Sequence, residues 1–389
     1  MLAATLLAAA GCTGTGVAGP SPSDGRSTEP GVASSLSAGP QLSWSQTALP
    51  AGVEPRTLTS LGGRLLVGGL AGGTPPGPRM LTIGPPGPPV EVRLTPHTGY
   101  APEARWQSVA TDGTRIIAIG GANGGAHANI RWTTWSGTAD GVEETPQSFS
   151  TFGGWGAGEL VDVVVTPGGD AIIGTWAGAQ AGLDAAVWLS SKGGWTRQDP
   201  AGTALESTKE LLVGPRSATA SGPGILVAGS AVHLGSGSVT QLAALWRSSA
   251  PNAGWHRIDL PDSGKHSEAV STRCDGIRCT VAGQVDGLLA LWDVDGDRAT
   301  RVAGLPASSV GDSDPLPAPL MVAGHRVQLS TDGGRVTVLT DTTGRWARSA
   351  GPDGAPVGAA LVGDRLYVVV STGPGTPATL WQTDARAWT

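Results

Sequence analysis

The chain is short of charged residues and of lysine. Charged side chains make up 14% of its 389 residues, whereas about a quarter is usual in globular proteins. Only three lysines occur, at Lys192, Lys209 and Lys265. The net charge is −6 and the basic residues form no block, although a nucleic-acid-binding surface needs a positive footprint. The composition therefore argues against nucleic acid as a partner and suits a protein of tight turns and buried strands.

Long apolar runs and metal-binding patterns are also missing. No segment approaches the roughly 20 apolar residues of a transmembrane helix, and helical periodicity is absent almost everywhere. The histidines are scattered, and the cysteines form no second pair at zinc-ligand spacing. The run Asp293–Asp297 alternates carboxylates as a calcium loop does, but a solvated acidic hairpin at a strand turn is the favoured interpretation. We expect neither a metal nor a cofactor.

Tryptophan is what the chain has in excess, with 14 Trp against two Phe and two Tyr. An aliphatic residue followed by Trp, a polar turn and a strand-like stretch occurs four times, at Val187-Trp188, Leu245-Trp246, Leu291-Trp292 and Leu380-Trp381. A second Trp follows three of these pairs after a short gap, at Trp195, Trp255 and Trp388. Repetition every few tens of residues is typical of propellers, solenoids and arrays.

A second series of strand-like segments runs in step with the Trp pairs. These segments are rich in Val, Ile and Leu, follow Gly-containing turns and centre near residues 67, 118, 173, 227, 281, 328 and 368. Each unit reads as strand A, tight turn, strand B, longer loop, strand C and strand D. Seven units predict an all-β fold, a seven-bladed β-propeller of four-stranded antiparallel blades. Six or eight blades and a two-domain β-sandwich are the alternatives, and Leu42–Thr47 is predicted to pair with the last blade.

One predicted turn between strands C and D carries a family resemblance. The segment Trp188–Arg197, WLSSKGGWTR, resembles the Asp-box, the S-x-D-x-G-x-x-W turn of BNR-repeat propellers, which include sialidases and photosystem-assembly propellers. Ser330–Gly334 resembles the start of the same motif. The first copy has Lys192 where the Asp should stand, and the second lacks the terminal aromatic. In that family the Asp-box is a structural turn remote from the active site, so the resemblance concerns the fold.

The N-terminus consists mainly of small and leucine residues that end in a cysteine. Residues 1–12, MLAATLLAAAGC, resemble the bacterial lipobox, in which the Cys receives a diacylglycerol and becomes the mature N-terminus. The resemblance implies a signal peptide at residues 1–11, lipidation of Cys12 and a location on the extracytoplasmic face of the bacterial cell membrane. A signal peptide normally begins with positive charge, so we expect the true start codon to lie upstream. A cytosolic N-terminus with a chance Cys is the alternative.

Residues 12–40 are predicted to be a flexible tether after the lipidated Cys, because they hold almost no large apolar side chain. The propeller domain is predicted to span residues 41–389. The remaining cysteines, Cys274 and Cys279, flank a turn signal in strand-like sequence, which places them opposite each other in a hairpin. In an exported protein we expect them to form a disulfide, with two buried free thiols as the alternative.

The sequence indicates a binding surface more readily than a catalytic centre. The B–C and D–A loops are mostly long, and in a propeller they share one face, where binding is usually built. Trp155 and Trp176 fall in Gly-rich segments outside the repeated positions, where aromatic rings suit stacking on sugars or proteins. Together with Tyr100, His127 and His233 they are the candidate ligand-binding residues. We expect a monomeric, membrane-anchored binding or scaffold module for a protein or glycan, and we assign no catalytic residue.

The alternative function is a glycoside hydrolase of the sialidase-like superfamily. The resemblance implies that such a site would need an arginine triad, a Tyr with a Glu partner and an Asp acid. Glycosidase chemistry requires two placed carboxylates, and no pair stands out among the acidic residues. The only tyrosines are Tyr100, in a loop, and Tyr367, in strand B of the last unit. Three convergent arginines with an acid pair in the central pocket would favour the enzyme.

Overall fold

A computed structural model describes residues 37–388 apart from residues 85–86, 125–128, 193, 236 and 343. Cys12, the predicted signal peptide and most of the predicted tether lie outside the described residues, and so does His127. Within the described part of the chain, no helix is long and apolar enough to cross a membrane.

The described chain opens with two short strands, β1 (Ser37–Ala38) and β2 (Ser45–Gln46). The first blade contains β3 (Val53–Leu61), β4 (Arg64–Ala71), β5 (Gly77–Ile83) and β6 (Val90–Glu91). The second contains β7 (Leu94–Thr95), β8 (Arg105–Thr111), β9 (Ile116–Asn123), β10 (Ile130–Thr138) and β11 (Gly141–Glu144). The third contains β12 (Ala157–Thr166), β13 (Gly169–Ala177), β14 (Leu183–Ser191) and β15 (Gly194–Arg197).

The fourth blade contains β16 (Leu211–Ser221), β17 (Gly224–Gly235), β18 (Ser238–Arg247) and β19 (His256–Asp259). The fifth contains β20 (Ser267–Asp275), β21 (Arg278–Val285), β22 (Leu288–Asp295) and β23 (Arg298–Arg301). The sixth contains β24 (Leu320–Val322), β25 (His325–Asp332), β26 (Arg335–Thr342) and β27 (Arg345–Asp353). The seventh contains β28 (Ala355–Val362), β29 (Arg365–Ser371) and β30 (Thr379–Asp384). Helix α1 spans Phe149–Phe152, and 3-10 turns span Ala101–Glu103 and Ala385–Trp388.

The seven sheets follow the chain in antiparallel order and form a seven-bladed β-propeller, as predicted. All seven predicted centres of strand B fall in the second strands of the blades. Each turn between a first and a second strand contains a glycine with positive φ or, in the third blade, is directly followed by one, Gly169. Glycine adopts this conformation without strain, so the hairpins can be tight. The second and sixth blades gain a fifth strand, because β7 pairs parallel with β11 and β1 pairs parallel with β27.

Residues near the N-terminus close the ring. Strand β2 pairs antiparallel with β30 and supplies the fourth strand of the seventh blade, which confirms the pairing predicted for Leu42–Thr47. Contacts begin earlier in the chain, because the Ser349 hydroxyl donates to the carbonyl oxygen of Pro40 at 2.7 Å. Residues 37–40, which the sequence assigned to the tether, therefore lie against the sixth blade.

Tryptophans on the third strands pack against the preceding blade, as predicted for the repeated positions. Trp188 shares a buried cluster with Ile119 of β9, and Trp246 shares one with Ile173 of β13. Trp135 in β10 holds the equivalent place in the second blade and packs against the first. This fifth copy was not predicted, because a threonine rather than an aliphatic residue precedes it.

The hairpin of the fifth blade contains the predicted disulfide. Cys274 and Cys279 are opposite one another in β20 and β21, and their sulfur atoms are bonded. The turn between them includes Gly276 with a φ of 60°. The crosslink therefore lies at the end of the propeller that carries the turns between first and second strands.

The acidic run Asp293–Asp297 spans the turn between β22 and β23, as the hairpin interpretation predicts. Its carboxylates contact different basic groups. Arg326 Nη2 lies 2.6 Å from Asp293 Oδ1, and His256 Nε2 lies 2.8 Å from Asp297 Oδ1. The two side chains are thus held in separate polar contacts.

One expectation about a loop is wrong. Ala231–Thr240, expected to be a long loop, is mostly strand, because β17 continues to Gly235 and β18 begins at Ser238. Residues Leu234 and Val239 are still paired there, so this blade projects a hairpin. The second Asp-box-like segment, Ser330–Gly334, lies between the second and third strands of the sixth blade. It is therefore at the opposite end of a blade from the corresponding turn in Trp188–Arg197.

Candidate binding face

The two ends of the propeller carry different connections. The first strands lie against one another around the ring, with β8 contacting β3 and β12, and β16 contacting β12 and β20. Because the strands of each blade alternate in direction, second-to-third turns and blade-to-blade connections emerge at the same end. We call this end the long-loop face. Loops on one face of a rigid scaffold are where binding residues are usually found.

Large side chains of the second and third blades are exposed or half-buried on the long-loop face. We call this group the aromatic patch, and its members are Tyr100, Ile130, Arg131, Phe149 and Trp155. Tyr100 lies in the connection between β7 and β8, and Ile130 and Arg131 begin β10. Phe149 and Trp155 lie in the connection to the third blade. Tyr100 is 40% exposed and Phe149 50%, while Trp155 is fully exposed.

The first four members of the aromatic patch line one pocket of about 490 Å³. Its wall also includes Gly153, two residues before Trp155. Exposed apolar side chains that are grouped around a pocket mark interaction sites more often than scattered ones do. The patch is therefore the strongest candidate for a binding site on this face.

Arg131 is at the centre of the aromatic patch. Its guanidinium carbon lies 4.1 Å from the ring centroid of Phe149 and 5.7 Å from that of Tyr100, which is within the range of cation–π attraction. The Arg131 Nε atom is buried, and no oxygen of the described residues accepts its hydrogen bond. The charge is thus held by aromatic rings and is not neutralised by any described carboxylate.

Helix α1 gives the aromatic patch a rigid base. Phe152 is buried, and its ring centroid lies 5.5 Å from that of Trp188 in the third blade. The Trp188 indole N–H donates to the carbonyl oxygen of Thr151 at 2.9 Å. Gln147, just before the helix, accepts a hydrogen bond from the backbone N–H of Trp195 at 3.1 Å. The helix therefore buries one phenylalanine and leaves Phe149 on its outer side.

Two glycines allow the exposed rings to lie on the backbone. A methyl group at Gly124 would stand 2.6 Å from the ring of Tyr100, and one at Gly153 would collide with the ring of Phe149. Real side chains do not approach so closely, so any larger residue would displace the ring. The arrangement of the patch thus depends on glycine at both positions.

Glu144 lines the same pocket, but its carboxylate is hydrogen-bonded to the loop that carries Tyr100. Its Oε2 atom accepts hydrogen bonds from the backbone N–H groups of His97 and Thr98 at 2.6 and 2.7 Å. Its Oε1 atom accepts one from the Thr98 hydroxyl at 2.6 Å. These bonds fix the connection between the first and second blades, and they occupy both carboxylate oxygens.

The structure brings only part of the predicted ligand-binding set together. Tyr100 and Trp155 lie in neighbouring connections of the long-loop face, as expected. Trp176 was expected in a loop, but it is in β13 and half-buried, with its ring centroid 6.2 Å from that of Trp188. His233 is in β17, two blades from Tyr100. The loop prediction for Trp176 is wrong because its glycine-rich neighbours are strand residues here.

The sequence analysis did not identify Arg131 or Phe149 as binding residues. Only Phe149 has a feature in the sequence that could have indicated its role. The chain has two phenylalanines in total, and both fall within four residues of one connection, at Phe149 and Phe152. A residue type so rare and so closely spaced could have marked this connection. Arg131 had no comparable signal, since its role follows from the two rings that the fold places beside it.

A second pocket of about 870 Å³ lies on the long-loop face between the seventh and first blades. It contains two arginines, Arg56 and Arg105, and one carboxylate, Glu54, whose Oε1 atom lies 3.1 Å from Arg56 Nη2. No tyrosine or aspartate is among the described residues that line it. Tyr367 is in the core, where burial raises the pKa of its hydroxyl. The described lining therefore supplies neither an arginine triad nor a carboxylate pair.

A carboxylate near the centre of the ring joins three blades. The Ser108 hydroxyl in β8 donates to Asp162 Oδ1 at 2.7 Å, and the backbone N–H of Ala218 in β16 donates to Asp162 Oδ2 at 2.8 Å. Asp162 itself belongs to β12 and follows an irregularity in that strand. Burial among the first strands raises the pKa of this carboxyl to about 6.

The fold and the site define a β-propeller with an aromatic patch on its long-loop face. Neither the protein-family models nor the curated proteins contain a match to this sequence. Among solved structures it is similar to "YCF48 bound to D1 peptide", with 12% identity and a TM-score of 0.55 over 90% of this chain and 99% of the other.

Two enzymes with propellers are also similar in fold. A puromycin-hydrolyzing peptidase of Mycobacterium tuberculosis matches with 11% identity and a TM-score of 0.53, over 91% of this chain and 56% of the peptidase. A Trypanosoma rangeli sialidase matches with 12% identity and a TM-score of 0.44, over 77% of this chain and 55% of the sialidase. At 12% and 11% identity, the similarities to the YCF48 and peptidase structures show the β-propeller fold alone.

Proposed function

We propose that this chain is a lipid-anchored extracytoplasmic module that binds a protein partner through the aromatic patch. The observation that carries the proposal is the patch itself, where Tyr100, Phe149 and Trp155 are exposed around an arginine. Aromatic residues and arginine are enriched in the cores of protein interfaces, where they contribute much of the binding energy. A propeller of similar fold that is bound to a peptide supports a protein partner rather than a glycan.

Two features of the cysteines support the lipid anchor and the extracytoplasmic location. Cys12 ends a lipobox-like run, and the Cys274–Cys279 disulfide is of a kind that persists in oxidising compartments. Expression of the full-length gene in its native host, followed by separation of membrane and soluble fractions, tests this part. We expect the wild type in the membrane fraction and Cys12→Ser released from it. A Cys12→Ser variant that stays with the membrane would contradict the anchor.

Site-specific crosslinking tests the patch. A photoreactive amino acid at Ser148, which lines the pocket, should yield a discrete protein adduct in cells. The same amino acid at Ile277 is the control, because that residue is 52% exposed on the opposite end of the fifth blade. Phe149→Ala should remove the adduct obtained from Ser148. Identical adducts from both positions would contradict the proposal, and a carbohydrate adduct would replace the protein partner with a glycan.

The glycoside hydrolase alternative draws less support from the chain. It would need Arg56 and Arg105 to act with two placed carboxylates. The described lining of their pocket offers Glu54 alone, and that carboxylate also accepts a hydrogen bond from the backbone N–H of Ala378 at 3.3 Å. The binding function is therefore the better supported of the two.

A further inference from the structure

We propose that the partner segment presents a carboxylate to Arg131, next to an apolar side chain that rests on Tyr100 and Phe149. This inference rests on the proposed function of the aromatic patch and names the chemistry of its ligand. The carboxylate could belong to an acidic side chain or to the C-terminus of a peptide. Both sources present the same planar group, which matches the planar guanidinium in two parallel hydrogen bonds.

The first argument is the unused hydrogen-bonding capacity of Arg131. A guanidinium carries five N–H donors, and no described oxygen accepts a hydrogen bond from this one. The attraction of Phe149 and Tyr100 acts on the charge and leaves these donors without acceptors. Only Nε is buried without a partner, so the terminal nitrogens are the donors that oxygen atoms of a ligand can reach, and charged hydrogen bonds to them would add affinity.

The second argument is that the neighbouring acids are already engaged. Both oxygens of Glu144 accept hydrogen bonds from His97 and Thr98. Glu143 Oε1 lies 2.6 Å from His97 Nε2. The acids near the pocket therefore hold the loop of Tyr100 in place, and none of the described ones pairs with Arg131. Among the described residues, no carboxylate is therefore left to pair with Arg131.

The third argument is the apolar surface beside the charge. Tyr100, Ile130 and Phe149 are each at least 39% exposed and line one side of the same pocket. Its volume of about 490 Å³ lies within the range of small-ligand sites, which is roughly 300–1,000 Å³. A lone anion would leave this surface in water, whereas a side chain next to the carboxylate would cover it. The pocket therefore fits a short peptide segment better than a free ion.

Three defined peptides test the chemistry. The probes are N-acetyl-Gly-Leu-Phe with a free carboxylate, the same peptide with a C-terminal amide, and N-acetyl-Gly-Phe-Glu-Gly-amide with an internal acid. Binding is followed on the indole N–H signal of Trp155 in the 15N-labelled protein, which a Trp155→Phe variant assigns. We expect the amide of the first peptide to bind at least about tenfold more weakly than its carboxylate form, as loss of a bidentate charged contact implies. The third peptide shows whether an internal acid serves as well as a C-terminus.

Variants of two stacked arginines give the matched comparison. Arg131→Gln should bring the carboxylate-to-amide ratio of affinities to about one and leave the amide peptide unchanged. Arg301→Gln is the control, because the Arg301 guanidinium carbon lies 4.7 Å from the ring centroid of Trp292 and its Nη1 atom is also buried without a partner. That variant, three blades away, should keep the wild-type ratio. Phe149→Leu should weaken the carboxylate and amide peptides alike.

Several results would overturn the inference. They are equal binding of the carboxylate and amide peptides by the wild type, an unchanged ratio in Arg131→Gln, or no shift of the Trp155 signal with any probe. If peptides bind in a Phe149-dependent way without a carboxylate preference, this inference fails and the proposed function stands. If crosslinking from Ser148 yields no specific adduct, the proposed function itself fails.

Discussion

The third-strand tryptophans and the aromatic patch use the same kind of side chain in opposite ways. Trp188 is fully buried between two blades, and its indole N–H bonds the backbone at Thr151. Trp155 is fully exposed, only a few residues from that carbonyl in the chain. Composition alone does not separate the two, since both are tryptophans near glycine. Position in the repeat does separate them, because a third-strand tryptophan packs against the preceding blade and a residue in a connection faces solvent.

Replacement of Trp188 should have the largest effect on stability. Trp188→Ala removes a buried indole, the support of Phe152 and the bond to Thr151, so we expect the free energy of unfolding to fall by about 3–5 kcal/mol. Trp155→Ala, the matched control, should change it by less than about 0.5 kcal/mol. Urea denaturation followed by circular dichroism measures both. Equal destabilisation by the two variants would break the distinction between scaffold and patch.

Asp162→Asn should change how the free energy of unfolding of the propeller depends on pH. Burial raises the pKa of Asp162 from 3.8 to about 6, so the folded protein binds this proton more tightly than the unfolded chain does. The charged form therefore destabilises the folded protein above pH 6, by about 3 kcal/mol for a shift of two pKa units, and this effect disappears as the pH falls towards 4.

The measurement is the difference in unfolding free energy, wild type minus Asp162→Asn, between pH 7 and pH 4. We expect this difference to rise by up to about 3 kcal/mol as the pH is lowered. Capture of a partner by the patch should not follow the same pH curve, because Asp162 lies among the first strands near the centre of the ring. A difference that falls over this range would show that the carboxylate is stabilised by its two hydrogen bonds more than it is destabilised by burial.

Loss of the disulfide should have a smaller effect on the scaffold. The bond between Cys274 and Cys279 closes a short loop, so the double variant with serine at both positions should lose about 2 kcal/mol of unfolding free energy. Mass spectrometry of the exported protein without reduction should find the corresponding peptide lighter by two hydrogens. Two thiols that alkylate in the folded, exported protein would contradict the oxidised state.

Trp176 is intermediate in burial between the third-strand tryptophans and the aromatic patch. It is half-buried in β13, stacked edge-on against Trp188, with the guanidinium carbon of Arg197 at 4.5 Å from its ring centroid. We expect Trp176→Ala to lower the free energy of unfolding by about 1–2 kcal/mol and to leave crosslinking from Ser148 unchanged. Loss of crosslinking in a variant that remains folded would return Trp176 to the binding surface.

The repeat could be read from the sequence because local signals recur in every blade. A glycine at each first turn and a run of Val, Ile and Leu after it fixed the centres of the second strands. The closing strand was also predicted, since Leu42–Thr47 resembles an outer strand. The extension of β17 and β18 was missed because Ala231–Thr240 contains two glycines and two serines, which suggest a loop, although most of its residues pair as strand.

The candidate site could be predicted only in part. Tyr100 and Trp155 stood out as aromatic residues in connections, and they are on the expected face. Arg131 is a candidate binding residue because it contacts Tyr100 and Phe149, which are 31 positions before it and 18 positions after it in the sequence. No local sequence pattern indicates such a contact, because the fold brings these residues together from separate parts of the chain.

Crosslinking from Ser148 in variants of known stability tests the role of the aromatic patch most directly. The yield of the protein adduct and the free energy of unfolding should be measured together for wild type, Phe149→Ala and Trp155→Ala. If the patch binds the partner, both variants lose the adduct while their unfolding free energies stay within about 0.5 kcal/mol of the wild type. An adduct that persists in both folded variants would show that the partner binds elsewhere on the propeller.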